Sequence, residues 1–170
     1  LLVADNVLLV PILLALYVLL RRAGESLMAL TTTLGLLGVV FSIASNPAFG
    51  MLVLSNRYDA ATTQAQRSAT LAAGEAMLAT AEGTAFHAYY VLGSVAGILI
   101  GVMMLRSTVF SGLAGWMALL GNAVALGLYV PSVGIYISVL SVLFLEVWYV
   151  LIARRLLQLG RSATGVEAPA

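Results

Sequence analysis

Glu82 and His87 are the two residues of this sequence that come closest to an acid–base pair. A carboxylate and an imidazole can act together as general acid and base, or pass a proton from one to the other. On one continuous helix, however, a separation of five residues turns the two side chains about 140° apart. We therefore expect them to meet only if Gly83, which lies between them, breaks the helix.

Two further acids, Asp5 and Glu146, lie inside long apolar stretches. A carboxylate in such surroundings stays protonated, pairs with another polar group, or faces a water-filled path. For Glu146 we consider both structural pairing, for example with Asn122, and a transport or proton site. The sequence thus predicts Asp5, Asn122 and Glu146 as buried polar residues.

The amino-acid composition excludes several further kinds of catalytic and metal-binding site. The chain has no cysteine and a single histidine, which excludes disulfides, thiolate metal sites, cysteine nucleophiles and a histidine pair. Patterns typical of a phosphate-binding loop, a serine nucleophile elbow or a zinc-protease helix do not occur. A net charge of +1 provides no basic surface for nucleic acid. We predict no metal site and no nucleic-acid partner, and the sequence indicates no cofactor.

The elements that position these residues are predicted to be membrane spans. Hydrophobic residues make up 62% of the chain and charged residues 9%, against about 45–50% and about 25% in soluble domains. Five stretches reach the roughly 20 apolar residues that a span requires, at residues 1–20, 27–45, 84–105, 111–130 and 132–153. Their apolar runs are continuous rather than alternating, which favours helices over a barrel. We predict an all-α, polytopic transmembrane helix bundle that forms one domain in the lipid bilayer.

The arginines predict the orientation of this bundle, because basic residues near span ends stay in the cytoplasm. With five alternating spans, six of the eight arginines fall at one end: Arg21, Arg22, Arg106, Arg154, Arg155 and Arg161. This predicts a cytoplasmic tail at residues 154–170. Absence of lysine, with abundant Ala, Gly, Leu and Arg, indicates a GC-rich bacterial genome. We therefore expect the protein in the bacterial cytoplasmic (inner) membrane. The chain begins inside an apolar run without Met, so we expect a further span upstream, six in total.

Residues 46–83 form the one long connection, on the non-cytoplasmic side in this orientation. Residues 48–54 form an apolar segment that is too short to cross the membrane, so we expect it to lie at the interface or to fold back on the bundle. Residues 55–59 are typical of a turn. Residues 60–82 contain no proline and are rich in Ala, Gln, Thr and Leu, which predicts one extramembrane or interfacial helix.

The third predicted span gives His87 a second interpretation and adds a glycine stripe. Tyr89 and Tyr90 are typical of an aromatic belt at the headgroups, where His87 would hydrogen-bond a carbonyl or a neighbouring span. Glycines spaced by four let another helix backbone approach closely, and they occur here at Gly93, Gly97 and Gly101. The stripe predicts helix packing, either within the bundle or between copies.

Several runs together resemble a known bacterial membrane protein family, catalogued as domain of unknown function 4386. The most specific are Asn46-Pro47-Ala48-Phe49 and Glu82-Gly83-Thr84-Ala85-Phe86-His87. Further runs are Pro11-Ile12-Leu13-Leu14-Ala15-Leu16-Tyr17, Tyr58-Asp59-Ala60-Ala61-Thr62-Thr63, Leu71-Ala72-Ala73-Gly74-Glu75 and Trp148-Tyr149. The resemblance implies an integral membrane protein that usually has a further span upstream. It implies no activity and no catalytic residues.

Three functions are compatible with these features. The first is a non-enzymatic membrane protein, most concretely an accessory or scaffolding subunit of a larger bacterial membrane complex, with other subunits or a second copy as partners. The second is a small oligomeric transporter or channel component that uses Glu146. The third is a membrane-embedded enzyme that acts on a lipid or isoprenoid through Glu82 and His87. The scarcity of polar groups in the spans favours the first, which is not an enzyme.

Overall fold

The computed structural model describes the backbone of residues 2–164 and the side chains of residues 3–162. This part of the chain is helical throughout and contains no strand, which confirms the all-α prediction. Its seven α-helices are α1 (Leu2–Leu20), α2 (Glu25–Ser45), α3 (Ala48–Asp59), α4 (Gln64–Ala81), α5 (Thr84–Arg106), α6 (Gly112–Ala125) and α7 (Gly134–Thr164).

Five helical stretches are long and apolar enough to cross a membrane, as the sequence predicts. They are Val3–Ala23, Glu25–Asp59, Gln64–Arg106, Gly112–Tyr129 and Gly134–Ser162. The second stretch contains both α2 and α3, and the third contains both α4 and α5. The predicted spans correspond to α1, α2, α5, α6 and α7, and we call these five helices the spans.

Each span packs on the next one, in the order α1, α2, α5, α6 and α7. The first and last helices of this series, α1 and α7, have no extended contact with each other. Leu20 of α1 and Ile152 of α7 join one buried cluster, to which Met103 of α5 also belongs. This cluster lies next to the helix ends that carry Arg21, Arg22, Arg106, Arg154 and Arg155, which we call the arginine-rich end.

The long connection holds two helices where we predicted one. Residues 55–59, predicted as a turn, belong to α3, because no proline or glycine follows Gly50 until the helix ends. The α3 helix begins where the Asn46 side chain accepts a hydrogen bond from the Ala48 amide at 2.9 Å. The predicted helix over 60–82 starts later, at Gln64, where Thr63 and Gln66 form a capping box.

Helices α3 and α4 form a hairpin that packs mainly on itself. The Met77 side chain of α4 packs over Gly50 of α3, where a Cβ would lie 2.6 Å from its sulfur. Near the tip, the Arg67 guanidinium lies 5.9 Å from the centre of the Tyr58 ring. The hairpin therefore stands as a separate element beside the spans.

The last two spans differ from their predicted bounds. Residues 126–129, predicted as part of a span, are a 3-10 turn rather than α-helix, and the Ala125 carbonyl before it accepts a hydrogen bond from Tyr90. Gly134 then starts α7, because any Cβ there would overlap the Leu128 carbonyl. The α7 helix does not stop at residue 153 but runs to Thr164, since nothing after Ala153 breaks a helix. Residues 165–170 of the predicted tail lie outside the described residues.

The glycine stripe of α5 contacts two different neighbours. A Cβ at Gly101 would lie 2.8 Å from the Leu119 amide nitrogen, and one at Gly97 would overlap the Asn122 side chain. Gly93 has open space on this face, since a Cβ there would meet nothing within 4 Å, and its backbone is approached by Gly38 of α2. The close contacts of the stripe thus lie within this chain.

We expect Gly97→Ala to lower the free energy of unfolding by about 2 kcal/mol, because the added methyl overpacks the α5–α6 contact. Asn122→Ala in the same chain should restore much of this loss, since the overlap is with the Asn122 side chain. Thermal unfolding in mild detergent measures both effects. Gly93→Ala is the matched control and should leave stability unchanged or slightly higher. Equal losses at Gly97 and Gly93 would contradict the packing described.

Candidate functional site

The structure does not bring Glu82 and His87 together as an acid–base pair. Gly83 does separate α4 from α5, and Glu82 lies exposed at the end of α4. His87 contacts a different residue: its Nδ1 and the Tyr129 hydroxyl share a hydrogen bond of 3.2 Å. His87 thus bonds a neighbouring element, in agreement with its non-catalytic interpretation.

Tyr90 points into the bundle instead of anchoring at the headgroups. Its hydroxyl donates a hydrogen bond to the Ala125 carbonyl at 2.9 Å and contacts the Ser138 hydroxyl at 2.5 Å. Because Tyr90 has one proton to give, Ser138 is the donor in the second bond. Tyr90 therefore joins α5 to both α6 and α7 at the end of the bundle opposite the arginines.

A cavity of about 350 Å³ lies between the five spans, in the size range of small-molecule sites. Every span contributes to its wall. Along α5 the wall runs from Tyr89 to Ile100, twelve residues that cover about 16 Å of helix, roughly half the thickness of a bilayer core. We call this space the central cavity. Its least packed boundary is the one between α1 and α7.

Most of the central cavity wall is apolar, with a few polar groups set into it. The polar lining residues are Asn6, Tyr89, Tyr90, Ser94, Asn122, Ser138, Ser141, Trp148 and Tyr149. Several of them are already committed to the protein: Asn122 donates to the Ala118 carbonyl at 2.8 Å, and Ser141 donates to the Ser138 carbonyl at 2.6 Å. A wall of this kind suits a largely apolar molecule with few polar atoms.

Trp148 is the exception among these groups. Its ring lines the central cavity and is 7% exposed, yet its indole Nε1 has no hydrogen-bond partner among the described residues. Buried polar groups are nearly always hydrogen-bonded, so this N–H is a candidate donor to a molecule bound in the cavity. Thr32 Oγ1 on α2 is also buried without a hydrogen-bond partner among the described residues, but Thr32 does not line the cavity.

The three predicted buried polar residues are not alike. Asn122 is buried against Gly97, whereas Asp5 and Glu146 are exposed, which corrects our prediction for these two. Glu146 lies two residues from Trp148, and this spacing turns it about 200° away from the buried face of α7. It therefore cannot pair with Asn122. Asp5 of α1 and Glu146 of α7 both lie within electrostatic range of Tyr149 on α7.

Within the described part of the chain, no three His, Asp or Glu residues gather as a possible metal site. The central cavity with Tyr90, Ser138 and Trp148 is the feature that sequence reasoning missed. Tyr90 and Trp148 could have indicated this cavity, because each is a large side chain with a polar group at its end inside an apolar run of the sequence. Their direction, however, depends on how each helix is rotated, and a continuous apolar run does not specify that rotation.

No family model matches this chain, and neither a curated protein nor a solved structure is similar to it. The resemblance to domain of unknown function 4386 therefore stays a prediction. The function of the protein is therefore inferred from the geometry of the central cavity.

We expect Tyr90→Phe to lower the free energy of unfolding by about 1 kcal/mol, because it leaves the Ala125 carbonyl and the Ser138 hydroxyl without their partner. The shift of the thermal unfolding midpoint in detergent measures this loss. Tyr136→Phe on α7 removes the same hydroxyl from a side chain that is 75% exposed and should have no effect. A Tyr90 variant as stable as the Tyr136 variant would show that this bridge does not hold the three spans.

Proposed function

We propose that this protein is a non-enzymatic membrane protein that holds a lipid-like, largely apolar molecule in the central cavity. The cavity itself carries this proposal, since it is largely apolar, lies between the five proposed spans and is bounded on one side by the weakly packed α1–α7 boundary. That boundary offers a direct route from the lipid. The orphaned Trp148 indole N–H supports a ligand with one hydrogen-bond acceptor, such as a hydroxyl or carbonyl oxygen.

The size of the cavity distinguishes a small ligand from a further helix. A helix about 10 Å wide that crosses a 30 Å core fills on the order of 2,000 Å³. The central cavity holds about 350 Å³, several times less. A single hydrocarbon chain or a compact ring system is of the right size, whereas another span would pack on the outside of the bundle.

The placement of the titratable groups supports a binding role over catalysis or transport. Glu82 is exposed at the end of α4, and Glu146 is exposed on α7 instead of lining the cavity. His87 is engaged with Tyr129 outside the cavity wall. The cavity thus presents hydrogen-bonding groups that can orient a ligand, without an acid–base pair to transform it.

Extraction in mild detergent followed by mass spectrometry of bound small molecules tests this proposal. We expect wild-type protein to retain an apolar molecule and Gly93→Leu to lose it, because residue 93 lines the cavity and has room for a side chain. The Leu side chain would occupy the space of the ligand without displacing a helix.

Gly112→Leu is the matched control, since Gly112 also has open space around it but lies outside the central cavity. Both variants should unfold at temperatures close to that of wild type. Retention of the same molecule by Gly93→Leu, or its absence from wild-type protein, would contradict the proposed function.

A role as accessory or scaffolding subunit of a bacterial membrane complex is the second candidate. The α3–α4 hairpin supports it, because this hairpin stands apart from the spans and leaves large apolar side chains exposed. Phe49 is 71% exposed, Leu52 is 60% exposed and Leu71 on α4 is 56% exposed. The same extraction tests this role: other polypeptides recovered in fixed stoichiometry would support it, and recovery alone or as a homo-oligomer would contradict it.

The proposed orientation places the hairpin outside the cytoplasm and the arginine-rich end inside a bacterial inner membrane. The chain has no cysteine, so single cysteines introduced at exposed positions report on one site each. We expect a membrane-impermeant maleimide to label Ser68→Cys on α4 in intact spheroplasts, and Ser162→Cys on α7 only after lysis. The opposite order of labelling would reverse the orientation.

A further inference from the structure

A second cavity lies at the arginine-rich end, between the start of α6 and the last turns of α7. Its volume is about 410 Å³. The polar part of its wall comes from Arg154, Arg155 and Gln158 on α7 and from Thr108 and Ser111 before α6. We call it the basic cavity. It is separate from the central cavity, with which it shares no lining residue.

The two arginines of the basic cavity have different surroundings. Arg155 is half-buried, and its Nε donates a hydrogen bond of 2.6 Å to the Val109 carbonyl, which fixes both the guanidinium and the α5–α6 loop. Arg154 is exposed, and no acceptor or carboxylate engages it among the described residues. One cation is thus held in place by the protein, and the second is available to a ligand.

The start of α6 adds to the positive potential of this cavity. Ser111 is its N-cap and accepts a hydrogen bond from the Ala114 amide at 3.3 Å. The preceding amides of the first turn have no acceptor within the helix, and the helix dipole places partial positive charge there. Two guanidinium groups and a helix N-terminus therefore border the same space.

Charge at this end of the bundle is unbalanced. Among the described residues, this end carries the five arginines that define it and one acid, Glu25. Ion pairs among these residues therefore cannot neutralise all five cations. A guanidinium group binds phosphate oxygens with well-defined geometry, and basic pockets beside spans are suited to anionic headgroups.

The other wall of the basic cavity is apolar, and this favours a phospholipid over a free phosphate ion as the ligand. Phe110, Ala114 and Leu151 line it. A free phosphate ion gains nothing from such a wall, whereas a phospholipid places its glycerol and first acyl carbons there. We propose that the basic cavity binds the phosphate of an anionic phospholipid headgroup, with Arg154 and Gln158 as ligand-binding residues and Arg155 as a residue that also orders the loop.

Native mass spectrometry of the delipidated full chain, titrated with phosphatidylglycerol, tests this site. We expect Arg154→Gln to weaken binding about tenfold, because it removes a charged hydrogen-bond donor to the phosphate. Gln158→Ala should weaken it by a smaller factor, and Arg154→Lys should retain part of the affinity since the charge remains. Arg106→Gln removes an exposed arginine of the same end that does not line the cavity, and should bind as wild type does.

Two further titrations complete the test. Phosphatidylcholine should bind more weakly than phosphatidylglycerol, because its headgroup carries a compensating cation. Inorganic phosphate that competes at comparable concentration would overturn the lipid assignment in favour of a soluble anion. A loss of affinity in Arg106→Gln equal to that in Arg154→Gln would show a diffuse effect of net charge and overturn the site. Helix content by circular dichroism verifies that each variant is folded. If Arg154→Gln does not fold, Gln158→Ala provides the test.

Discussion

The close approach of α5 to its neighbours is the contact on which the rest of the structure depends. Lipid tails are as apolar as leucine, so spans associate through close packing and not through hydrophobic burial. Gly101 meets the α6 backbone directly, since a Cβ there would lie 2.8 Å from the Leu119 nitrogen and 2.9 Å from the Gly115 oxygen. On the other side, Gly38 of α2 lies against the α5 backbone near Gly93. One helix thereby becomes the centre of a five-span bundle.

The same use of small residues creates the central cavity. Near Gly101 the facing helix is close enough to fill the space that the missing side chain leaves. One and two turns earlier, Gly97 and Gly93 line the central cavity, and the side chains of Asn122 and Tyr90 line it beside them. Close packing at one level and a cavity at the next are thus two results of one glycine repeat.

The sequence predicts the spans well because hydrophobic length is a direct physical requirement of the bilayer. It predicts helix ends less well, since these depend on particular hydrogen bonds. The Asn46 side chain starts α3, and the contact between Tyr90 and Ala125 lies where α6 tightens, yet neither bond is visible in composition. Glu146 shows a second limit of prediction from sequence. On a helix that is apolar on nearly every face, no periodicity tells which side an acid occupies.

The buried cluster at the arginine-rich end also bears on transport. Leu16, Leu20, Met103 and Met104 are at most 1% exposed and lie between the central cavity and the helix ends that carry the arginines. Such a close-packed layer admits neither water nor ions without rearrangement of the core. In the conformation described, the central cavity is therefore closed toward that end. This closure supports the proposed ligand-holding role over a pore, because a pore requires a continuous path along the axis of the bundle.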